Sequence, residues 1–299
     1  MKKLFLHVGF PKTGTTSIQK FFYENGCYNG VEYLESKEDR HRKFWAALLF
    51  ELGETNNPKV KKYNLYKGSC YDLTLSYISQ INKSSNSRFL LSFEGLISLA
   101  NKDSHGLLED CIRMFRLAGV FVTAIVYVRP VQSYWVSRYL SEAKSKPVGI
   151  FSDYIIRQLY KQPTYKKVIN YFHYVCEDVI VDIFCDKKRV DGILPSFVEN
   201  VSGNKVSDHL GRLSLSRHNT AKGIEDLDKL RIKKSLPPLR CLVNEDAFKV
   251  KNLFSENHEI IDVVNKENAE VFNKYFLSPV DLINVEWVVD VQKKINMLN

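Results

Sequence analysis

The segment that most constrains this chain lies at its start. Leu4-Phe5-Leu6-His7-Val8 is an apolar run of strand character, and it leads directly into Gly9-Phe10-Pro11-Lys12-Thr13-Gly14-Thr15-Thr16-Ser17. Ile18, Phe21 and Phe22 then share one face of a helical repeat. A glycine-bearing turn between a strand and a helix leaves backbone N–H groups aimed at one point. The helix dipole adds partial positive charge there, so the segment predicts an anion cradle. Gly9 and Gly14 allow backbone angles and close approach that a side chain would block. Thr15, Thr16 and Ser17 can add hydroxyl donors.

Three further apolar runs, at residues 89–93, 120–128 and 179–184, read as buried parallel strands, with a weaker candidate at 31–34. Each lacks the clean alternation of a half-exposed strand. Between them the period shifts to 3.6, as in Leu107, Cys111, Met114 and Phe115. Strands alternating with helices define an α/β layered fold. The C-terminal part is helical in pattern, with packing helices expected over residues 263–276 and 280–295. With no repeat, low-complexity tract or linker, the expectation is a single domain over 1–299. Residues 36–87, which hold Phe44, Trp45, Tyr63, Tyr66 and Tyr71 among polar residues, form an insert that shapes a cleft; residues 224–299 form the helical end.

The glycine spacing at 9 and 14 matches the triphosphate-binding pattern G-x-x-x-x-G-K-[ST], but Thr15 occupies the lysine slot. The lysine stands earlier, at Lys12. A kinase or ATPase needs that lysine on the β- and γ-phosphates, so the displacement argues against triphosphate chemistry. It suits a shorter donor with one 5′-phosphate and a leaving bridge.

A second anion-binding element comes after the run at 120–128. Arg129-Pro130 ends it, and Val131-Gln132-Ser133-Tyr134-Trp135-Val136-Ser137 begins a helix, with Pro130 suited to the first helical position. An arginine at the carboxyl end of a parallel strand sits where α/β sheets bind ligands, and its planar fork matches a phosphate. Ser133 and Ser137 lie four apart on one helix face.

Together the two segments resemble the sulfotransferases that use 3′-phosphoadenosine-5′-phosphosulfate (PAPS). Residues 9–17 with Lys12 look like that family's 5′-phosphosulfate loop, written P-K-[ST]-G-T-T, and Leu6-His7-Val8-Gly9-Phe10-Pro11-Lys12-Thr13-Gly14-Thr15-Thr16-Ser17-Ile18-Gln19 resembles bacterial members especially. Arg129 followed by Ser137 looks like the 3′-phosphate site. The resemblance spans about residues 1–25 and 120–145. It implies a three-layer α/β sandwich with a central parallel sheet and a P-loop-type phosphate loop, and no metal. It implies that Pro11, Lys12, Thr13, Gly14, Thr15, Thr16 and Ser17 hold the 5′-phosphosulfate of the donor, with Lys12 on the bridging oxygen, and that Arg129 and Ser137 recognise the 3′-phosphate. The product would be adenosine 3′,5′-bisphosphate. Members often close the 3′-phosphate site with a late Arg-Lys-Gly loop. Here Ala221-Lys222-Gly223 departs from it, which leaves Lys222 and Gly223 open between that role and a polar loop.

A base for the acceptor is expected at Glu94, delivered to the sheet edge by Leu90-Leu91-Ser92-Phe93. Partial burial would raise a glutamate toward the range useful for general-base work. His105, in Lys102-Asp103-Ser104-His105, is the reserve candidate; His7 reads as a core residue of the first strand.

The bulk numbers narrow the partners. The net charge of +9 suits a polyanionic nucleotide, an acidic glycan or an anionic membrane face. The densest basic cluster, Lys59, Lys61 and Lys62, reads as a solvated loop, and nucleic acid is not expected in the absence of a basic block. Six scattered cysteines form no C-x-x-C pair or zinc spacing, and Cys111, Cys176 and Cys185 read as small core residues. The N-terminal apolar stretch is too short for a secretory signal, and no run reaches bilayer length, so a cytoplasmic setting with at most peripheral membrane contact is expected. The acceptor class stays open: a carbohydrate or glycolipid hydroxyl, an amine, a phenol or a lipid. Two alternatives are a P-loop nucleotide kinase using ATP and magnesium, and a non-catalytic nucleotide- or glycan-binding module.

Overall fold

The structure is a computed structural model that describes residues 1–34, 41–144, 146–184, 193–204, 231, 234, 236, 247–276 and 281–297. Contacts divide the chain into two compact units.

The first unit comprises Met1–Val128 and Lys167–Ser216. It holds a six-stranded, mixed and largely parallel sheet: β1 (Lys2–His7), β2 (Cys27–Tyr28), β3 (Val31–Tyr33), β4 (Arg88–Ser92), β5 (Val120–Val128) and β6 (Asp178–Ile183), in the order β2-β3-β4-β1-β5-β6. All five expected strands are present, four with boundaries shifted by one or two residues. β2 has no counterpart in the apolar pattern of the sequence. It pairs antiparallel with β3 across Asn29-Gly30, both at positive φ (48° and 73°). An Asn-Gly pair of this conformation is the preferred two-residue hairpin turn.

Helices of this unit are α1 (Thr15–Asn25), α2 (Arg42–Glu51), α3 (Pro58–Lys61), α4 (Ser69–Lys83), α5 (Leu99–Lys102) and α6 (Leu107–Leu117). The sheet alternation explains its layers. Phe5, Leu90, Ile125 and Tyr127 point to one face, where they pack with Ile18 and Phe22 of α1 and with Ile193, Leu194, Phe197 and Val198 at the start of a later helix. The opposite face, with Leu4, Leu6, Phe89, Leu91, Val122, Ala124 and Val126, is equally buried. Phe44 and Trp45, expected to shape a cleft, are core residues of α2 (2% and 6% exposed), whereas Tyr66 is exposed. Lys59 is not simply solvated: its ammonium lies 5.2 Å from the centre of the Trp45 ring.

The second unit comprises Arg129–Lys166 and Arg217–Asn299. Its helices are α7 (Val131–Ala143), α8 (Phe151–Leu159) and the first residues of α9 (Tyr165–Val175); α10 (Leu194–Ser202) belongs to the first unit, and α11 (Ala247–Glu256), α12 (His258–Tyr275) and α13 (Val285–Met297) to the second. The last two correspond to the expected terminal helices. Tyr139, Phe151 and Tyr154 cluster edge to face, and Trp287 of α13 meets Phe151 at 5.5 Å. Pro130 precedes α7 with ψ 130°, so it caps the helix rather than occupying its first turn.

Phe197 is fully buried, with ring centres 4.9 Å from His7, 5.7 Å from Phe22 and 6.1 Å from Tyr127. Its truncation removes the largest side chain that α10 packs against α1 and the sheet. We predict that Phe197→Ala lowers the free energy of unfolding by about 3–5 kcal/mol. The exposed Leu117→Ala should change it by less than about 0.5 kcal/mol in the same denaturant titration.

Candidate active site

The middle of the sheet sets the geometry. β1 lies between β4 and β5 and is parallel to both. From β1 the chain leaves toward β3, and from β5 it leaves toward β6. Neighbouring parallel strands whose connections depart in opposite directions form a switch point, where α/β sheets place ligands at the carboxyl ends. Beyond the strand, Val8 N donates to Ile125 O (2.9 Å) and Phe10 N to Tyr127 O (3.0 Å). The glycine loop is thus stitched to the end of β5.

Within the loop, Thr13 N and Thr13 Oγ1 both donate to Phe10 O, closing a tight turn. Lys12 sits at φ 71° and Gly14 at φ 81°. A left-handed lysine costs about 1–2 kcal/mol relative to its ordinary conformation, and such strain concentrates where a ligand is bound. Lys12 itself is exposed. Gly14 is required twice over, since a Cβ there would also lie 2.8 Å from Ile193 Cγ2.

Gly14 caps α1. The N–H groups of Ser17 and Ile18 return to Gly14 O at 2.9 and 3.2 Å, no side chain caps the helix, and its first turn holds no acid. Among the described residues no backbone carbonyl takes the amides of Thr15 and Thr16, and Thr15 Oγ1 is buried without a partner. Thr16 is exposed and Ser17 half-buried. An uncapped positive end of an 11-residue helix with a buried hydroxyl beside it suits a phosphate-sized anion.

His7, expected as core, is that and more. It is fully buried; Nδ1 is 2.8 Å from Ser92 Oγ, which ties β1 to β4, while Nε2 has no partner among the described residues. A Cβ on Gly9 would lie 3.0 Å from that Nε2 and 2.9 Å from Thr13 Oγ1, so Gly9 lets the loop close over the imidazole. Burial pulls the His7 pKa down to about 3. Ser92 also donates its N–H to His41 Nδ1 (3.1 Å), and His41 Nε2 donates to Leu34 O (2.8 Å). Two imidazoles therefore brace the end of β4.

Glu94 stands just past that braced end. It is half-buried and begins a 3₁₀ turn (Glu94–Ser98), so it lies at the carboxyl edge of β4 as expected. His105 is exposed in the turn before α6. Its neighbour Asp103 is committed to structure, accepting from Leu107 N (2.8 Å), Leu108 N (3.0 Å) and Tyr171 OH (2.5 Å).

Arg129 is the residue after β5 and opens the second unit. It is 9% exposed, and its Nε donates to Ser133 Oγ (2.9 Å), which itself donates to Pro130 O (3.0 Å). Ser133, which the sequence places on one helix face with Ser137, accepts from the guanidinium. Ser137 is half-buried one turn further along α7. The helix is held by Arg138, whose Nη1 donates to Tyr134 OH (2.8 Å) and Gln162 Oε1 (2.6 Å) and whose Nε donates to Glu142 (3.1 Å). Lys222 and Gly223 lie outside the described residues. Among the described residues no group of three or more His, Cys, Asp or Glu is placed to hold a metal ion, and no helix is long and apolar enough to cross a membrane.

No protein-family model matches the sequence, and no curated protein does. The solved structures with distant similarity include these two. One is the PezAT chromosomal toxin-antitoxin system of the human pathogen Streptococcus pneumoniae, at TM-score 0.34 and 14% identity, covering 77% of this chain and 87% of that one. The other is retinol dehydratase in complex with androsterone and the inactive cofactor PAP, at TM-score 0.35 and 13% identity, covering 93% of this chain and 83% of that one. Scores at this level carry no functional argument, which rests on the residues.

The buried imidazole makes a pH prediction. His7 stays neutral in the fold but protonates in the unfolded chain, whose histidine pKa is near 6.5. Its contribution is intact above that value and is lost progressively as pH falls toward 3. Between pH 7 and pH 5 it should cost about 2 kcal/mol of unfolding free energy. In His7→Asn that part of the slope should vanish, as measured by denaturation at the two pH values.

Proposed function

We propose that the chain is a sulfotransferase that moves a sulfuryl group from PAPS to a hydroxyl or amine of an acceptor by in-line transfer. The observation that carries the reading is an uncapped helix end behind a strained glycine loop, together with an arginine placed directly after the neighbouring strand. The motif resemblance in residues 1–25 and 120–145 supports the same nucleotide.

In this reading the loop of residues 11–17 fixes the 5′-phosphate through its amides and hydroxyls, with Thr15 Oγ1 supplying a buried donor. The Lys12 ammonium neutralises charge on the bridging oxygen as the S–O bond breaks, the point where a fixed positive charge helps most. Arg129 and Ser137 take the 3′-phosphate. Glu94 accepts the proton of the attacking acceptor group. Lys222 and Gly223 are proposed as a further element of the 3′-phosphate site. No metal is assigned a role, a cytoplasmic setting is proposed, and the acceptor is proposed to be a glycan or glycolipid.

Two separated phosphate sites favour adenosine 3′,5′-bisphosphate over a triphosphate. That ligand should raise the melting temperature well above the effect of ATP with magnesium; equal shifts would support a kinase instead. With labelled PAPS and a mixture of glycan, lipid and phenol acceptors, Lys12→Ala should lose transfer by at least about 100-fold. Binding of the bisphosphate with no transfer by the unmodified protein to any acceptor would favour a non-catalytic module.

A further inference from the structure

The exit from β5 is held by two hydroxyls, that of Ser133 on the helix after it and that of Tyr165 from a distant part of the sequence. Val128 O is taken by Phe184 N at 2.7 Å, the last backbone bond of that ladder. The next two carbonyls have left the sheet, and Pro130 has no N–H to offer. Tyr165 OH, at the start of α9, donates to Arg129 O at 2.7 Å. Ser133 Oγ donates to Pro130 O at 3.0 Å while accepting from Arg129 Nε at 2.9 Å. Both the main chain and the side chain of Arg129 are therefore fixed by neighbours.

Tyr165 is well placed to hold its bond. It is buried, with its ring against Tyr134 of α7 and Phe272 of α12, each 6.2 Å between centres. Burial pushes its phenol well above the ordinary range, so the donor proton stays in place. Ser133 holds Nε, and the planar shape of a guanidinium fork matches two phosphate oxygens.

We infer that Tyr165 and Ser133 are positioning residues that preset the Arg129 fork, and that they determine specificity for a nucleotide carrying a 3′-phosphate. The inference rests on the proposed donor reading and extends it to two residues to which that reading gives no role. A preset fork recognises a phosphate without the entropic cost of first ordering a long side chain. Loosening it should weaken the 3′-phosphate contact and leave the 5′-phosphate loop untouched.

The test is calorimetric titration of the full chain with adenosine 3′,5′-bisphosphate and with adenosine 5′-phosphate. Wild-type preference for the bisphosphate reports on the donor reading; absence of preference would count against that reading. In Tyr165→Phe, which removes one hydroxyl, affinity for the bisphosphate should fall about tenfold while affinity for adenosine 5′-phosphate is unchanged. Ser133→Ala should do the same and Ser133→Thr should restore selectivity, which keeps the test valid if Tyr165→Phe fails to fold. Unchanged bisphosphate affinity in Tyr165→Phe and Ser133→Ala, or an equal loss for both nucleotides, would overturn the inference with wild-type preference intact.

Discussion

The geometry of the candidate site depends on β1 and β5 being parallel neighbours in register. Ladder bonds pair His7 with Ile125, and beyond them Val8 N and Phe10 N continue the pattern onto Ile125 O and Tyr127 O. Because the pairing runs on past the end of β1, the glycine loop begins level with the last residues of β5. Without that register, the loop after β1 and the last residues of β5 would be two unrelated strand ends. The order β4-β1-β5 also places Glu94, at the end of β4, on the other side of the loop.

The loop keeps its shape through close approach rather than through many bonds. Gly9 allows the chain to lie against His7 Nε2, Gly14 allows α1 to begin against Ile193, and Lys12 is left in a backbone conformation that lysine seldom adopts. The neighbours come from different parts of the first unit: Ser92 of β4 on His7, Ile193 just before α10 against Gly14, and Tyr127 of β5 against Gly9 and bonded to Phe10 N. The glycine loop is in this sense an extension of the core, and His7, which packs against Phe197, lies directly beneath it.

The strands are legible in the sequence because runs such as Leu4-Phe5-Leu6 and the nine residues of β5 must be buried on both faces. The short β2 escapes because two residues carry no periodicity, although Asn29-Gly30 marks the turn that makes it. The positions of Lys12, Arg129 and Glu94 are legible because each follows the end of a buried strand. Composition and spacing do not encode side-chain bonding to main chain across long separations. Tyr165 lies 36 residues from Arg129 and looks like any tyrosine at a helix start. His41 reaches Ser92 from 51 residues away. For the same reason Trp45 reads as a cleft residue in sequence, whereas α2 places it beside Phe93, at 5.3 Å between ring centres.

If a single nucleotide engages the loop after β1 with its 5′-phosphate and Arg129 with its 3′-phosphate, the two contacts must be separable. Deleting each side of the second contact in turn measures it directly: titrate wild type and Arg129→Ala with adenosine bearing both phosphates and with adenosine bearing only the 5′-phosphate. The extra phosphate should strengthen binding to the wild type by at least about 30-fold and add almost nothing in Arg129→Ala. A gain from the extra phosphate that survives loss of the guanidinium would contradict this placement of the nucleotide.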